Sequence, residues 1–227
     1  MTNLERWVEL HKEKRHQPRY PHELVVSFVL RNFKATIVDG GGGCKILDLG
    51  CGAGKHTKFL AENGFEAYGC DYSTSGIKVS EQILDEANLK ADFQVASIDA
   101  LPYENEFFDG LICWGVLCYN DKQSIEKAAD EMFRVLKKGA KALILTRNLE
   151  DYRYAQAQKI SRYEAIIQEN DESRSAFKEN GMPMYFFDKD EVKRVFHRFA
   201  RIDINRLRVS WGNDKFADDD FVIVCER

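Results

Sequence analysis

The sequence predicts an α/β protein built on a doubly wound, mostly parallel sheet with helices on both faces. Two observations carry that prediction. From Lys45 to Leu145 short apolar runs alternate with helix-period segments, the rhythm of parallel strands joined by crossover helices. One of those runs, Phe108–Trp114, is nearly all apolar, as a central strand covered on both faces must be.

Each element follows from its own pattern. Glu23–Phe33 carries Leu24, Val25, Phe28, Val29 and Phe33 at helical spacing and predicts an amphipathic helix. Gly40 to Gly43 then break the chain and read as a flexible connector rather than a phosphate loop, because no helix follows directly. Lys45–Leu49 predicts the first strand, Gly50–Gly54 a glycine turn, and Lys55–Asn63 a helix closed by Gly64. Phe65–Asp71 predicts the second strand. A helix around Ile77–Ala87 follows, with Ser73, Thr74 and Ser75 as capping candidates. Ala91–Ala96 is the third strand and Phe108–Trp114 the fourth. Helix Ser124–Leu136 sets Ile125, Ala128, Ala129, Met132, Phe133 and Leu136 on one face, ahead of a fifth strand at Ala140–Leu145. The rhythm stops from Asn148 to Tyr185, where Ile160, Tyr163, Ile166 and Ile167 at helical spacing predict one or two helices lying over the sheet. Helix Lys189–Phe196 and strands Arg201–Val209 and Phe221–Cys225 complete the chain. Gly212-Asn213-Asp214 between those strands predicts an antiparallel hairpin.

Composition bounds the function. The chain has 227 residues, against about 150 for a typical domain, which suits one α/β domain with additions. With 44% hydrophobic residues it can bury a sizeable core. Thirty-three basic against 37 acidic residues leave a net charge of −4, so no basic nucleic-acid footprint is visible and no nucleic-acid partner is expected. Charges spread through Met1–Arg15 leave no room for the apolar core of a signal peptide. The longest strongly apolar stretch without a formal charge, Gly110–Tyr119, is half of a membrane span, and no membrane association is expected. Six cysteines without a C-x-x-C pair point to reduced thiols in a cytoplasmic protein and to no metal site.

The turn Gly50-Cys51-Gly52-Ala53-Gly54 between a strand and a helix suits an anionic or carboxylate-bearing ligand. Two nucleotide motifs fail there. The dinucleotide fingerprint G-x-G-x-x-G needs glycine at Lys55, and the phosphate loop of nucleoside triphosphatases needs glycine at Leu49 and a hydroxyl at His56. The run Ile46 to Gly54 instead closely resembles the first motif of class I S-adenosylmethionine-dependent methyltransferases of small-molecule type. Asp71 ending the second strand, Leu101-Pro102-Tyr103 after the third, Phe108-Asp109 opening the fourth and Val135–Ala140 turning into the fifth extend the resemblance over about Lys45–Leu145. Lys138 stands where the family commonly has proline.

The resemblance implies a seven-stranded sheet with a reversed C-terminal strand, S-adenosyl-L-methionine as cofactor, and a set of cofactor-binding positions. Gly50, Cys51, Gly52 and Gly54 would let the backbone approach the methionine and ribose parts. Asp71 would accept both ribose hydroxyls. Asp48 would either hold the amino-acid end or simply brace the loop. Tyr72 would pack on adenine, unless it is an ordinary surface aromatic. The family's adenine-binding aspartate falls on Ser97, leaving Ile98 to offer its backbone N–H and Asp99 as a displaced acid. Trp114 would lie near the methionine part or serve the core. Tyr20 would fold over the cofactor.

Methyl transfer from a sulfonium needs alignment and exclusion of water before it needs a base. The N-P-P-Y signature of adenine or amide methylation is absent after the fourth strand, where Cys113–Tyr119 stands instead. Tyr119 is the first catalytic candidate, on the acceptor side. His22 is the second, as a base, with helix capping as its structural alternative. The basic stretch His11–His22 is a solvated face or a grip on an acidic acceptor. Residues 1–44 and the aromatic-rich insertion 147–187 read as a lid, or the insertion as a dimer contact, around a catalytic fold of residues 45–146 and 188–227. The expected function is methyl transfer to an O or N atom of a small organic acceptor by a monomer or homodimer; the alternatives are a binding module without catalysis, or an RNA or protein methyltransferase.

Overall fold

A computed structural model describes residues 3–10, 19–35 and 43–227. Helix α1 (Asn3–Leu10) and helix α2 (Glu23–Asn32) precede strand β1 (Lys45–Leu49). Helix α3 (Lys55–Glu62), strand β2 (Glu66–Asp71), helix α4 (Thr74–Glu86), strand β3 (Asp92–Val95) and strand β4 (Phe108–Trp114) continue the alternation. Helix α5 (Lys122–Val135) runs straight into strand β5 (Leu136–Arg147). The insertion holds helix α6 (Tyr152–Gln156) and strands β6 (Gln158–Lys159), β7 (Glu164–Ile166) and β8 (Pro183–Tyr185). Helix α7 (Lys189–Val195) and strands β9 (Arg201–Trp211) and β10 (Phe216–Glu226) follow.

Seven strands form one sheet in the order β3-β2-β1-β4-β5-β10-β9. The first five are mutually parallel, and β10 is antiparallel to both β5 and β9. Strand β1 therefore has parallel partners on both sides, and its side chains are buried on both faces. Leu47 and Leu49 join the layer that includes Met132 of α5 and Val192 of α7. Ile46 faces the other way, onto Val25, Phe28 and Val29 of α2 and Leu60 of α3. Each such fully buried aliphatic side chain contributes roughly 1.5–3 kcal/mol.

Two predicted boundaries shift. Strand β5 begins at Leu136, four residues earlier than its apolar run, because Leu136 pairs with Phe108 before the register slips to Gly110 opposite Lys141. Gly139, at φ +74°, takes up the slip in the left-handed region. The C-terminal hairpin is longer than its hydrophobic stretches, with Phe216 still opposite Trp211.

The insertion is not helical where helical spacing predicted it. Residues around Ile160–Ile167 form a turn and a strand of an antiparallel sheet in the order β6-β7-β8. The side chains explain this: Ala165 and Ile167 are buried while Ile160 is 59% exposed, a two-residue period over the part that packs. The four apolar residues keep only the helical spacing, with Ile160 and Ile166 out of phase with Tyr163 and Ile167 for a strand, and the two-residue alternation rests on Ala165 and Ile167 instead.

The insertion is fastened to the sheet by charge. Asp218, Asp219 and Asp220 lie in succession on β10. Arg147 of β5 reaches both oxygens of Asp220 at 3.1 Å. Arg153 of α6, buried, donates to Asp218 at 2.6 Å, to Ser175 at 2.7 Å and to Glu179 at 2.7 Å. The backbone N–H of Asp219 donates to Asp151 at 2.9 Å. Burial works against the Arg153 charge, yet the carboxylates of Glu179 and Asp151 outweigh it and raise its pKa further. We expect Arg153→Ala to cost about 3–5 kcal/mol, because it strands buried carboxylates without their cation. Urea denaturation followed by circular dichroism measures this, and a loss below about 1 kcal/mol, the value of an exposed pair, would contradict it.

Candidate functional site

Between β1 and β4 the chain's crossovers part to opposite faces, and the crevice at the carboxyl ends of these strands is where an open α/β sheet receives ligands. A cavity of about 310 Å³ lies there. Its floor is the turn Gly50, Cys51, Gly52 and Ala53. Asp71 and Tyr72 form one side, and Trp114, Gly115 and Val116 another. Trp7 of α1, Lys55, Tyr119 and Asn120 complete the wall.

The turn is held in place by β2 and α4. The N–H groups of Gly50 and Cys51 donate to the Cys70 carbonyl at 2.7 and 3.1 Å. Ser80 of α4 donates to the Gly52 carbonyl at 2.8 Å. Gly50 is at φ +72°, and a Cβ there would stand 2.3 Å from a methyl of Val116, so glycine is required by both conformation and space. Gly54, at φ +76°, is the N-cap of α3 and lies against Ser80. It supports the turn from behind and is not among the residues facing the cavity.

Asp71 accepts from the Gly52 N–H at 2.8 Å on one oxygen and from the Ser73 N–H at 2.8 Å on the other. Each carboxylate oxygen has further lone-pair capacity for a ligand donor. Burial raises its pKa above the ordinary aspartate value, the two backbone donors oppose this, and Asp48 adds to the rise. Beside it, burial and then the Asp71 charge push the Tyr72 phenol up, so it stays neutral. Burial, with Asp48 and Asp71 behind it, pushes the Cys51 thiol well up, and it is an uncharged wall rather than a nucleophile. Burial lowers the Lys55 ammonium pKa, and Asp48 counters that.

Asp48 does not face the cavity. One of its oxygens accepts from the backbone N–H and the hydroxyl of Thr57 at 3.0 and 2.8 Å, and the other lies 3.7 Å from His56 Nδ1. It braces the first turn of α3, the structural alternative of the two its position allowed. His22 is likewise a cap. Its Nδ1 accepts from the Leu24 N–H at 3.2 Å at the start of α2, and its backbone N–H donates to His56 Nε2 at 3.4 Å. The His22 ring packs on Trp114 with centroids 4.5 Å apart. It therefore backs the cavity wall rather than reaching into the cavity, which counts against a role as general base.

The loop after β3 carries the three residues expected at adenine. Ile98 is buried in the core, while Ser97 is exposed and its carbonyl accepts from the Ala100 N–H. Ser97, Ile98 and Asp99 are not among the residues that line this cavity. Tyr20 is 83% exposed and stands away from it too. Of the basic stretch, His11 to Pro18 lie outside the described residues.

Tyr119 ends a short 3-10 turn, Leu117–Tyr119, after β4. Its hydroxyl donates to Glu179 at 2.8 Å, and Trp7 meets its ring edge-on at 4.9 Å. Burial first and Glu179 second push its phenol well above the usual value, so it holds its proton. A second cavity of about 420 Å³ shares Tyr119 and Asn120 with the first and continues onto Ile160, Glu164 and Met184 of the insertion. Sequence reasoning missed Trp7, Lys55 and Asn120 as wall residues. For Trp7 no local signal exists, since its contact lies over a hundred residues away along the chain.

The methyltransferase-domain family model matches residues 46–139, the stretch that builds β1 to the start of β5. Residues 46–139 thus form a methyltransferase domain. The chain is 32% identical over 112 residues to a ubiquinone biosynthesis O-methyltransferase of Idiomarina loihiensis, covering 48% of this chain and 45% of that protein. It is 31% identical over 134 residues to the ubiquinone/menaquinone biosynthesis C-methyltransferase UbiE of Photorhabdus laumondii, covering 55% and 52%. The chain thus spans about half the length of these curated relatives. Among solved structures, a methyltransferase of Methanosarcina mazei aligns over 92% of this chain and 98% of its own with a TM-score of 0.68 at 20% identity. The N-methyltransferase NodS of Bradyrhizobium japonicum, solved with S-adenosyl-L-homocysteine, aligns over 100% and 99% with a TM-score of 0.67 at 14% identity. These likenesses extend the shared fold to the whole chain.

The His22 cap makes a pH prediction. Burial, then the Lys55 charge, lowers its pKa from 6.5. On acidification the unfolded chain binds its proton first, so the group's contribution is present above about pH 6.5 and is lost as pH falls through the lower folded value. Thermal melts should show stability falling over that window, and His22→Asn, which keeps a capping oxygen, should flatten the fall. An unchanged slope in the variant would contradict the assignment.

Proposed function

We propose that this methyltransferase moves a methyl group from S-adenosyl-L-methionine to an O or N atom of a small organic acceptor. The observation that carries the reading is the cavity at the carboxyl ends of β1 and β4, with an anchored carboxylate on one side and a turn of glycines and small side chains as its floor.

The residues fit such a donor. Asp71 would take the ribose hydroxyls, and its two backbone partners already set its orientation. Tyr72, next along the chain, offers a flat neutral face to adenine. The turn Gly50–Gly52 admits the ribose and methionine parts against backbone. Lys55 supplies a positive charge for the donor's carboxylate, and Trp114, held by His22, packs along its aliphatic part. When bound, the donor supplies an electrophilic methyl on a sulfonium. The protein's contribution is to exclude water and present the acceptor in line. Trp7 and Tyr119 close the side of the cavity toward the insertion.

The acceptor side rests on Tyr119 and the insertion, which we read as a lid together with α1. Arg6 of α1 supports this, since it donates to the carbonyls of Lys178 and Asn180 in the insertion at 3.1 and 3.5 Å. No described helix is long and apolar enough to cross a membrane. The six unpaired cysteines suit a reducing cytoplasm.

Calorimetric titration with S-adenosylhomocysteine tests the donor assignment. Wild-type protein should bind, and Asp71→Ala should weaken binding by about 3 kcal/mol, the value of two hydrogen bonds to a charged acceptor. Binding should also fade as pH drops through the raised Asp71 value, because the ionised carboxylate is the better acceptor. Equal affinity in wild type and variant would overturn the ribose assignment.

A further inference from the structure

The second cavity adjoins the proposed donor site, and its polarity is set by a group outside it. Tyr119 is common to both cavities. Its hydroxyl proton is directed at Glu179 Oε1, at 2.8 Å. Glu179 in turn is fixed from behind, its Oε2 receiving the buried Arg153 Nε at 2.7 Å. The backbone on both sides of Glu179 is held as well, by the Arg6 contacts to residues 178 and 180. Arg153 cannot rotate away cheaply, since Asp218 and Ser175 take its other nitrogens. A carboxylate is acceptor-only, so the direction of the Tyr119 hydrogen bond is settled. The phenol oxygen then meets an occupant of the cavity as an acceptor.

From this geometry we infer that the second cavity is the acceptor subsite and that Glu179 is its positioning residue. It commits the Tyr119 proton, so that the site selects acceptors whose nucleophilic atom carries its own hydrogen, an amine or a hydroxyl; as the new N–CH3 or O–CH3 bond forms, the donor's S–CH3 bond breaks to leave S-adenosylhomocysteine and the acceptor's proton is released to water. The inference rests on the methyl-transfer reading above. The cavity's charged lining residues are Asp121 and Glu164. They match an uncharged or cationic acceptor and repel a carboxylate or phosphate. Met184 and Ile160 supply its apolar side.

Glu179→Gln is a sharp test because it reverses one hydrogen bond. Arg153 still demands an oxygen, so the amide nitrogen must turn toward Tyr119 and donate to it, and the phenol must direct its own proton elsewhere. The full chain is incubated with S-adenosylmethionine carrying a 13C-labelled methyl group and a metabolite extract, and the carbon shift of each product identifies the methylated atom. The expected result has three parts. The label appears on nitrogen or on a hydroxyl oxygen. The Gln variant labels the same product about tenfold more slowly, the effect of losing one hydrogen bond to the reacting group. Its melting temperature falls, because buried Arg153 loses an ionic partner, but its affinity for S-adenosylhomocysteine stays near wild type and the rate loss persists well below the melting range, which a merely structural role for Glu179 would not give. Label on carbon or in a carboxylate ester, or equal rates in the two proteins, would overturn the inference. No product at all from wild-type protein that binds S-adenosylhomocysteine would overturn the methyl-transfer reading beneath it, and this inference with it.

Discussion

Everything at the site descends from the pairing of β1 with β2 on one side and β4 on the other, all three parallel. Parallel neighbours can be reached only by crossovers, and crossovers have one hand. The chain therefore leaves β1 to build outward through β2 and β3 and returns to build the other half of the sheet. The connections part to opposite faces at this point, and the carboxyl ends of the strands are left uncovered between them. The glycine turn, Asp71 and Trp114 sit there because they are the first residues past, or the last residues of, β1, β2 and β4.

Polar groups then hold that edge rigid from below. Asp48 secures the first turn of α3, Asp71 and the Cys70 carbonyl secure the glycine turn, and the His22 cap seats α2 behind Trp114. Most of these contacts are single hydrogen bonds of modest net value. Their effect is geometric: a ligand entering the cavity meets groups already oriented and does not bear the cost of ordering them. The proposed acceptor side is made differently. The second cavity is roofed by a small sheet whose attachment to β10 runs through Arg147, Arg153 and three successive aspartates, a charged seam where the donor side has backbone hydrogen bonds.

That difference also explains what could be read from the chain alone. The strands β1 to β4 and their helices were legible because each has a run of one period bounded by its own cap or glycine, and Asp71 was legible because its place at the end of β2 is a local fact. The insertion was not. Ile160, Tyr163, Ile166 and Ile167 carry helical spacing, and the strand's alternation rests on Ala165 and Ile167, of which Ala165 is too small to mark a pattern. Asp48 and His22 were visible as residues of chemical interest, but whether each faces a ligand or a helix end depends on partners, Thr57 and Leu24, whose relation is set by rotamer. Ser97 to Asp99 followed a family slot and lie outside the lining of the cavity. Trp7 and Glu179 had no local mark, since both act on Tyr119 across more than fifty residues of chain.

The crevice between β1 and β4 is the proposed donor site, and Asp71 is proposed to fix its register. A crystal structure with S-adenosylhomocysteine tests this most directly. The account predicts the ribose hydroxyls at the Asp71 carboxylate, with the homocysteine part running past Gly50–Gly52 toward Lys55 and its sulfur facing Tyr119. A ligand bound elsewhere on the chain, or one lying in the cavity with its ribose away from Asp71, would contradict it.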